Sequence, residues 1–281
     1  MTAHQIVARA RNLPRVSEAA LRLVPLLDES SERFEEAAAL IKADSFLTVK
    51  LLRACNSSAF GFAERIASVD QALLLLGFAE VRRLTLSLGF GNAMKVPLPG
   101  YCLSENAMWR HSFMTATAAE AIVNSGLSRD VDASVVFTAG LLHDIGKLVM
   151  ADVINAEVRD SIQKHMTGEG LGSAHAEREV LGTDHAEVGS CLLHIWRLPE
   201  VIVEAAANHH RPILKPTPQV SAIIHLANRI AHLADSETAG YQFQANEEVV
   251  QAFELNNTEQ AELIETVRGA ADRARQLQTI V

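Results

Sequence analysis

Apolar residues recur at three- and four-residue spacings along nearly the whole chain, and no run of five or more residues alternates convincingly between apolar and polar. That period puts one side of a helix against a core, so the sequence predicts an all-α fold. Leu21, Val24 and Leu27 open the pattern, and Ala37, Leu40 and Ile41 continue it. Val49 and Leu52 follow Asp44, a candidate N-cap. Ser68 and Gln71 have capping-box spacing ahead of Ala72, Leu73 and Leu76. Asn56 to Gly61 reads as a sharp turn. Aromatic residues make up only 5%, so the core must be built from Leu, Ile, Val and Ala. With 281 residues, 48% of them hydrophobic, the chain can fill one large helical domain or two packed lobes.

Proline and glycine divide the pattern. Pro97, Pro99 and Gly100 mark a boundary at Lys95–Gly100, and a second helical set starts near Ser104. One helix carries Trp109, His111 and Phe113 and ends at Asn124, Ser125 and Gly126. The next is expected over residues 131–145, with Gly146 close to its end. Gly168, Gly170 and Gly172 read as a loop. Glu177 to Leu181 reads as a short helical piece, and Thr183 or Asp184 as the cap of a helix from His185 to about Trp196. A helix starting at Pro199 is expected to reach His210 and stop before Pro212. Thr217 and Pro218 resemble an N-cap followed by an N1 proline, ahead of a helix with Ser221, His225, Asn228 and His232. The pattern breaks between Asp235 and Gly240, and Asn246 to Leu277 reads as two amphipathic helices. The expected organisation is an N-terminal helical lobe (1–100), a histidine-bearing subdomain (101–240) and a C-terminal extension (241–281).

The formal charge is −9, from 25 Lys plus Arg against 34 Asp plus Glu. This argues against direct nucleic-acid binding. Arg82 and Arg83 beside Glu80 suit local ion pairs. Cys55, Cys102 and Cys191 form no CxxC pair and are expected to pack as small hydrophobes. Residues Met1 to Arg11 lack an apolar signal-peptide core, and no apolar run is expected to reach the roughly 18 residues of a membrane span. The expectation is a reduced, cytoplasmic chain with no membrane insertion.

Among eleven histidines, His111, His143 next to Asp144, His185 and the adjacent His209 and His210 form the informative set. Imidazole nitrogens and carboxylate oxygens suit Zn, Fe and Mn. A helical bundle can gather such distant positions in its core. The two oxygens of Asp144 could bridge two ions. Any single histidine here is more often structural, but the stretch Gly140 to Lys147 is a more specific signal than an HD pair alone. Lys147, three residues after Asp144, can face the same cavity and neutralise phosphate oxygens. The plainer reading is a lysine at a helix C-terminus bonding the last carbonyls. Trp109 and Trp196 suit helix packing. His194, His225 and His232 stand where they could support metal ligands. His4, His165 and His175 fall outside the constellation.

Several of these residues also form a family pattern. Its first half is Leu13-Pro14, Ala43-Asp44, Leu51-Leu52-Arg53, Asn56-Ser57, Phe60-Gly61, Ile66, Ser68, Gln71-Ala72 and Leu76-Gly77. Its second half is His111, His143 to Lys147, Glu179, Leu181-Gly182, Asp184 to Gly189, Trp196, Leu198-Pro199 and His209-His210. Together they resemble the bacterial HDOD (HD-related output domain) family over residues 13–234. The resemblance implies an all-α fold of the HD-superfamily type with an N-terminal helical lobe. It is also similar to the HD-GYP phosphodiesterases that cleave cyclic di-GMP.

Carried over, their site would have His111, His143, Asp144 and Asn228 around one metal. Asp144 would bridge to a second metal at His185, His209 and His210. Asn228 stands where a catalytic member would have Asp, so the first metal would be held more weakly. Arg211-Pro212 follows the His pair, with no GYP-containing segment nearby. The leading reading is a signal-transduction output or regulatory domain. It would act on a signalling protein partner or a small phosphate-containing ligand and retain a mono- or dinuclear Fe, Mn or Zn site. The alternative is a metal-dependent phosphohydrolase or phosphodiesterase on a nucleotide or cyclic dinucleotide, with Asp144 and Lys147 in catalysis. A third reading is a scaffold whose ligand-type residues pair by hydrogen bonds in the core.

Overall fold

A computed structural model describes the whole chain except residues 27–30, 129, 169–171, 213, 215–219, 236–245 and 279–281. Short polar side chains start the N-terminal helices. Thr2 and Gln5 form a capping box at α1 (Ala3–Arg9), and Ser17 caps α2 (Glu18–Leu23). After α3 (Ser31–Ala43), Asp44 caps α4 (Ser45–Cys55) and also accepts the Ser17 hydroxyl at 2.7 Å, tying two helix starts together. Asn56 donates to the Ile66 carbonyl and accepts from its N–H, at 2.7 and 2.8 Å, which closes the turn expected there. Ser68 then caps α5 (Val69–Leu76), and α6 runs over Phe78–Met94. The helix expected through Leu27 ends at Leu23. Pro25 has no N–H to continue the ladder, and Leu27 lies outside the described residues.

The second set comprises α7 (Ala107–Asn124), α8 (Ala133–Leu142), α9 (Gly146–Val153), α10 (Ala156–Gly168) and α11 (Ser173–Leu181). It continues with α12 (His185–Ile195), α13 (Glu200–Asn208), α14 (Val220–Ala234), α15 (Glu247–Ala252) and α16 (Asn257–Gln278). No strand occurs among the described residues, only an isolated bridge between Leu98 and Leu103. The fold is all-α, as the periodicity requires.

Three boundaries differ from expectation. The helix expected over 131–145 stops at Leu142, and Gly146 begins α9 instead of closing α8. Lys147 therefore lies in the first turn of a helix, which removes its C-terminal capping role. The helix from Pro199 stops at Asn208, leaving His209 and His210 in the turn that follows. Of the two caps considered for α12, Asp184 serves, accepting from the Glu187 N–H. The expected Thr217-Pro218 start lies outside the described residues, as do most of the Gly168–Gly172 loop and of the Asp235–Gly240 break.

One apolar core joins α1–α9 to α12 and α13, and a second joins α7, α8, α13 and α14 to α15 and α16. α16 serves both, giving Leu263, Val267 and Ala271 to the second and Ala270, Ala274 and Leu277 to the first. Cys55 is buried as expected and Cys191 is half-buried, but Cys102 is exposed, in left-handed backbone (φ 55) at the end of a short 3₁₀ turn. Contrary to expectation, Ala133–Val153 is long and apolar enough to cross a membrane by length and composition. Its most apolar 18-residue window is 89% buried inside the protein, as a central core segment would be.

Two glycines set the spacing of this segment. A Cβ on Gly140 would stand 2.8 Å from the Ala116 Cα, and one on Gly146 would stand 2.0 Å from the His185 carbonyl oxygen. The missing side chains let α7 and α12 close on either end of residues 143–145. Gly146→Ala is therefore expected to lower stability by about 3 kcal/mol, the upper range for an overpacked core. Gly269→Ala, with nothing within 4 Å of the new methyl, is expected to raise it by about 0.5–1 kcal/mol. Urea unfolding of the two variants beside the parent checks both signs.

Candidate metal centre

The turn between α8 and α9 carries His143 and Asp144 into the core, where they are 0% and 2% exposed. Bonds from the Ile145 N–H to Leu142 O (3.1 Å) and from the Lys147 N–H to Asp144 O (2.9 Å) hold the turn. His111 comes from the middle of α7 and His185 is the first residue of α12. His209 and His210 come from the turn after α13, closed by the Arg211 N–H on Asn208 O at 2.9 Å.

The carboxylate of Asp144 lies at the centre, and its two oxygens face different groups. Oδ1 is 3.1 Å from His185 Nε2 and 3.7 Å from His209 Nε2. Oδ2 is 3.5 Å from His143 Nε2, 3.9 Å from His111 Nε2 and 2.6 Å from Lys147 Nζ. His210 Nε2 is 2.9 Å from His185 Nε2. The ligand atoms of Asp144, His185, His209 and His210 all lie within 4.8 Å of one another, and so do those of His111, His143 and Asp144. All seven positions proposed from sequence are buried or half-buried. Asn228, on α14, keeps its Oδ1 buried with no hydrogen-bond partner, one helical turn before His232, whose ring stands 4.5 Å from that of His111.

Tautomers decide what this arrangement can hold. Nδ1 of His143 stands 2.7 Å from Gly140 O, and Nδ1 of His209 stands 2.7 Å from Ala206 O. A carbonyl only accepts, so each Nδ1 carries the proton and each Nε2 turns a lone pair toward Asp144. Both Nε2 atoms and Asp144 Oδ1 are buried without a hydrogen-bond partner. Lone pairs facing a carboxylate with no proton between them repel, and a cation between them removes the repulsion. Donor atoms about 2.1 Å from a shared ion stand roughly 3.0 Å apart at right angles and roughly 3.4 Å apart at tetrahedral angles. The 2.9, 3.1 and 3.7 Å separations around Oδ1 lie close to that range. The buried His/Asp cluster fits a divalent metal.

Without metal the cluster is strongly polarised. Burial opposes ionisation of Asp144, but His143, Lys147 and His185 hold its carboxyl well below the usual range. Burial first, and neighbouring imidazoles next, hold His111, His209 and His210 well below 6.5. His185 goes the other way. Burial is the largest influence and lowers it, but the Glu177 carboxylate together with the hydrogen bonds to Glu177 and Asp144 lifts it to about 9.

Glu177 is the residue that sequence reasoning missed. It is fully buried on α11, and one oxygen accepts from both the backbone N–H and the Nδ1 of His185, each at 2.7 Å. No periodicity announces it; the signal is a charged residue on the buried face of a helix just ahead of Asp184-His185. Arg178 fixes the same junction from outside, bonding Asp184 at 2.7 Å and Glu187 at 2.9 Å. His225, named above for a supporting place, meets the His209 carbonyl through Nδ1 at 2.8 Å and accepts the Asn246 N–H at 2.9 Å. His194 is exposed on α12 and takes no part.

The opposite shifts set opposite pH dependences in the metal-stripped protein. His111, His209 and His210 refuse protons that the unfolded chain takes up, so stability is lost as pH falls below 6.5. His185 keeps a proton that the unfolded chain releases, so its contribution is full below 6.5 and is lost as pH rises toward 9. Each such group contributes about 1.4 kcal/mol per pH unit in its window. Urea unfolding after chelation is expected to peak near pH 6.5, and Glu177→Gln is expected to flatten the decline between pH 6.5 and 8.

The fold has counterparts in known proteins. The HDOD domain model matches residues 13–212. An HDOD domain protein of unknown function from Geobacter sulfurreducens superposes with a TM-score of 0.72 at 22% identity, covering 99% of this chain and 92% of that one. A provisionally named phosphohydrolase from Shewanella amazonensis SB2B gives 0.69 at 20% identity, covering 98% and 97%. A provisionally named signal transduction protein from Marinobacter aquaeolei VT8 gives 0.74 at 21% identity, covering 98% of this chain and 64% of that one. A curated but uncharacterized protein of Treponema pallidum (strain Nichols) is 23% identical over 239 residues, which span 84% of this chain and 45% of the relative. The chain thus spans less than half the length of that relative. At these identities the structural likeness concerns the fold, and the family match spans more than two thirds of the sequence. The chain belongs to the HDOD domain family.

Proposed function

We propose that this chain is a regulatory output module of bacterial cytoplasmic signalling, built around a divalent metal and acting on a protein partner or a small phosphate-containing ligand. The observation that supports it most is Asp144, whose two oxygens each face imidazole nitrogens, with buried lone pairs on His143, His209 and Asp144 itself left without hydrogen-bond partners. His185, His209, His210 and Asp144 Oδ1 form one ligand group, with Fe, Mn or Zn as the chemically suited ions. His111, His143, Asp144 Oδ2 and the Asn228 amide oxygen form the other. The histidine-bearing helices form the metal subdomain, and the lobe over residues 1–100 is the surface offered to a partner.

A regulatory role suits the enclosure of the site. His143, His185 and His209 are 0% exposed, and Lys147 lies directly against Asp144. Glu177 holds the His185 imidazole so that Nε2, not Nδ1, faces the ion.

A second reading, metal-dependent phosphohydrolysis, is favoured by Lys147. Its ammonium is buried 2.6 Å from the central carboxylate, where it could neutralise phosphate oxygens. A bound divalent ion would supply Lewis acidity toward a phosphate ester. In that reading Lys147 binds the ester and Asp144 orients the centre.

Element-resolved analysis of untagged protein, purified without added metal, tests the shared premise. Fe, Mn or Zn is expected at about one equivalent or more in the parent, and little in Asp144→Asn and His185→Ala. Trace metal, unchanged by both substitutions, would contradict it. Glu177→Gln is expected to weaken metal binding by about 10- to 100-fold while retaining the fold. The two readings separate on bis(p-nitrophenyl) phosphate and cyclic di-GMP. No turnover by the loaded protein is expected, whereas turnover abolished by Lys147→Ala would establish hydrolysis.

A further inference from the structure

The two faces of Asp144 are not equivalent. On the Oδ1 side, two imidazoles have fixed orientations, His185 through Glu177 and His209 through the Ala206 carbonyl. His210 joins them at 2.9 Å from His185. Two carboxylates, Asp144 directly and Glu177 through His185, supply negative charge to this side. On the Oδ2 side the imidazole distances are 3.5 and 3.9 Å, against 3.1 and 3.7 Å on the Oδ1 side, and only His143 has a pinned ring. Both nitrogens of His111 are buried without hydrogen-bond partners. The remaining donor, Asn228, is a neutral amide.

This side also already holds a cation. Lys147 Nζ is 2.6 Å from Oδ2 and 5.7 Å from the centre of the buried Tyr101 ring, whose face attracts a positive charge. The side chain is 7% exposed, so water screens its charge little. At about 4 Å, charges of the same sign repel strongly in a medium poorer than water. A divalent ion bound by His111, His143 and Oδ2 would have to displace the ammonium or sit beside it.

Resting on the metal reading above, we infer that the centre is mononuclear. The ion is held by His185, His209, His210 and Asp144 Oδ1, and Lys147 takes the place of a second ion on Oδ2. Lys147 thus sets the metal count, and the His111–His143–Asn228 side keeps a ligand set that its own lysine closes. One cation on each oxygen leaves the buried carboxylate fully paired. It also removes the two-ion clamp that would hold both the attacking and the leaving oxygen of a phosphate ester.

Titration of chelator-stripped protein with Mn²⁺ or Zn²⁺, followed by calorimetry and by metal analysis after desalting, tests this. One equivalent is expected in the parent. His209→Ala is expected to weaken that ion by about 100-fold, whereas His111→Ala is expected to hold it within about 3-fold. Lys147→Met, purified with metal present, is expected to take up a second equivalent. Two tight equivalents in the parent would overturn the inference. So would loss of the tight ion in His111→Ala with retention in His209→Ala, or a folded Lys147→Met protein that stays at one. If Lys147→Met does not fold, the two histidine variants decide the question. No binding by the parent at all would instead remove the metal reading beneath the inference, a result distinct from each of these.

Discussion

A carboxylate that is 2% exposed and ionised must be met by positive charge, and the centre of this structure is arranged around that requirement. Asp144 is met on one oxygen by the Lys147 ammonium, and its other oxygen faces the imidazoles of His185 and His209. Removing one partner of a buried charge pair costs about 3–5 kcal/mol, so the lysine and the aspartate depend on each other. Both lie around the short turn between α8 and α9. A helix over residues 131–145 would have put Lys147 just past its last turn and not in the opening turn of α9.

The approach of the surrounding helices depends on backbone, not on charge. Gly140 against Ala116 brings α7 and with it His111. Gly146 against His185 and Gly189 brings the start of α12. α11 then adds Glu177 beneath His185, and α14 adds His225 beneath His209 and His232 beside His111. The buried Arg110–Asp235 pair, at 3.3 Å, links α7 to the end of α14 beyond them. A site gathered from six segments by such contacts has little freedom to move one ligand alone.

Fold class was legible because the apolar spacing is purely local. The clustering was legible from residue types and from the resemblance they carry: His111, His143, His185, His209 and His210 gather around the Asp144 carboxylate. Helix ends were less legible. α8 stops at Leu142 and α13 stops at Asn208, short of His209 and His210, and apolar spacing marks neither end. Glu177 was invisible for the same reason, since a glutamate on an amphipathic helix reads as solvent-facing until α12 covers it. The membrane-length segment Ala133–Val153 shows the converse, a composition signal that burial against α7, α12 and α14 explains.

The most direct test is the position of the ion. Crystals of the protein soaked in Mn²⁺ or Zn²⁺, with data collected on either side of the metal edge, give an anomalous map that locates metal without reference to activity. The expected result is one strong peak bounded by Asp144 Oδ1 and the Nε2 atoms of His185, His209 and His210, with Lys147 Nζ still against Oδ2. A strong peak between His111 and His143, or none within reach of Asp144, would contradict the account.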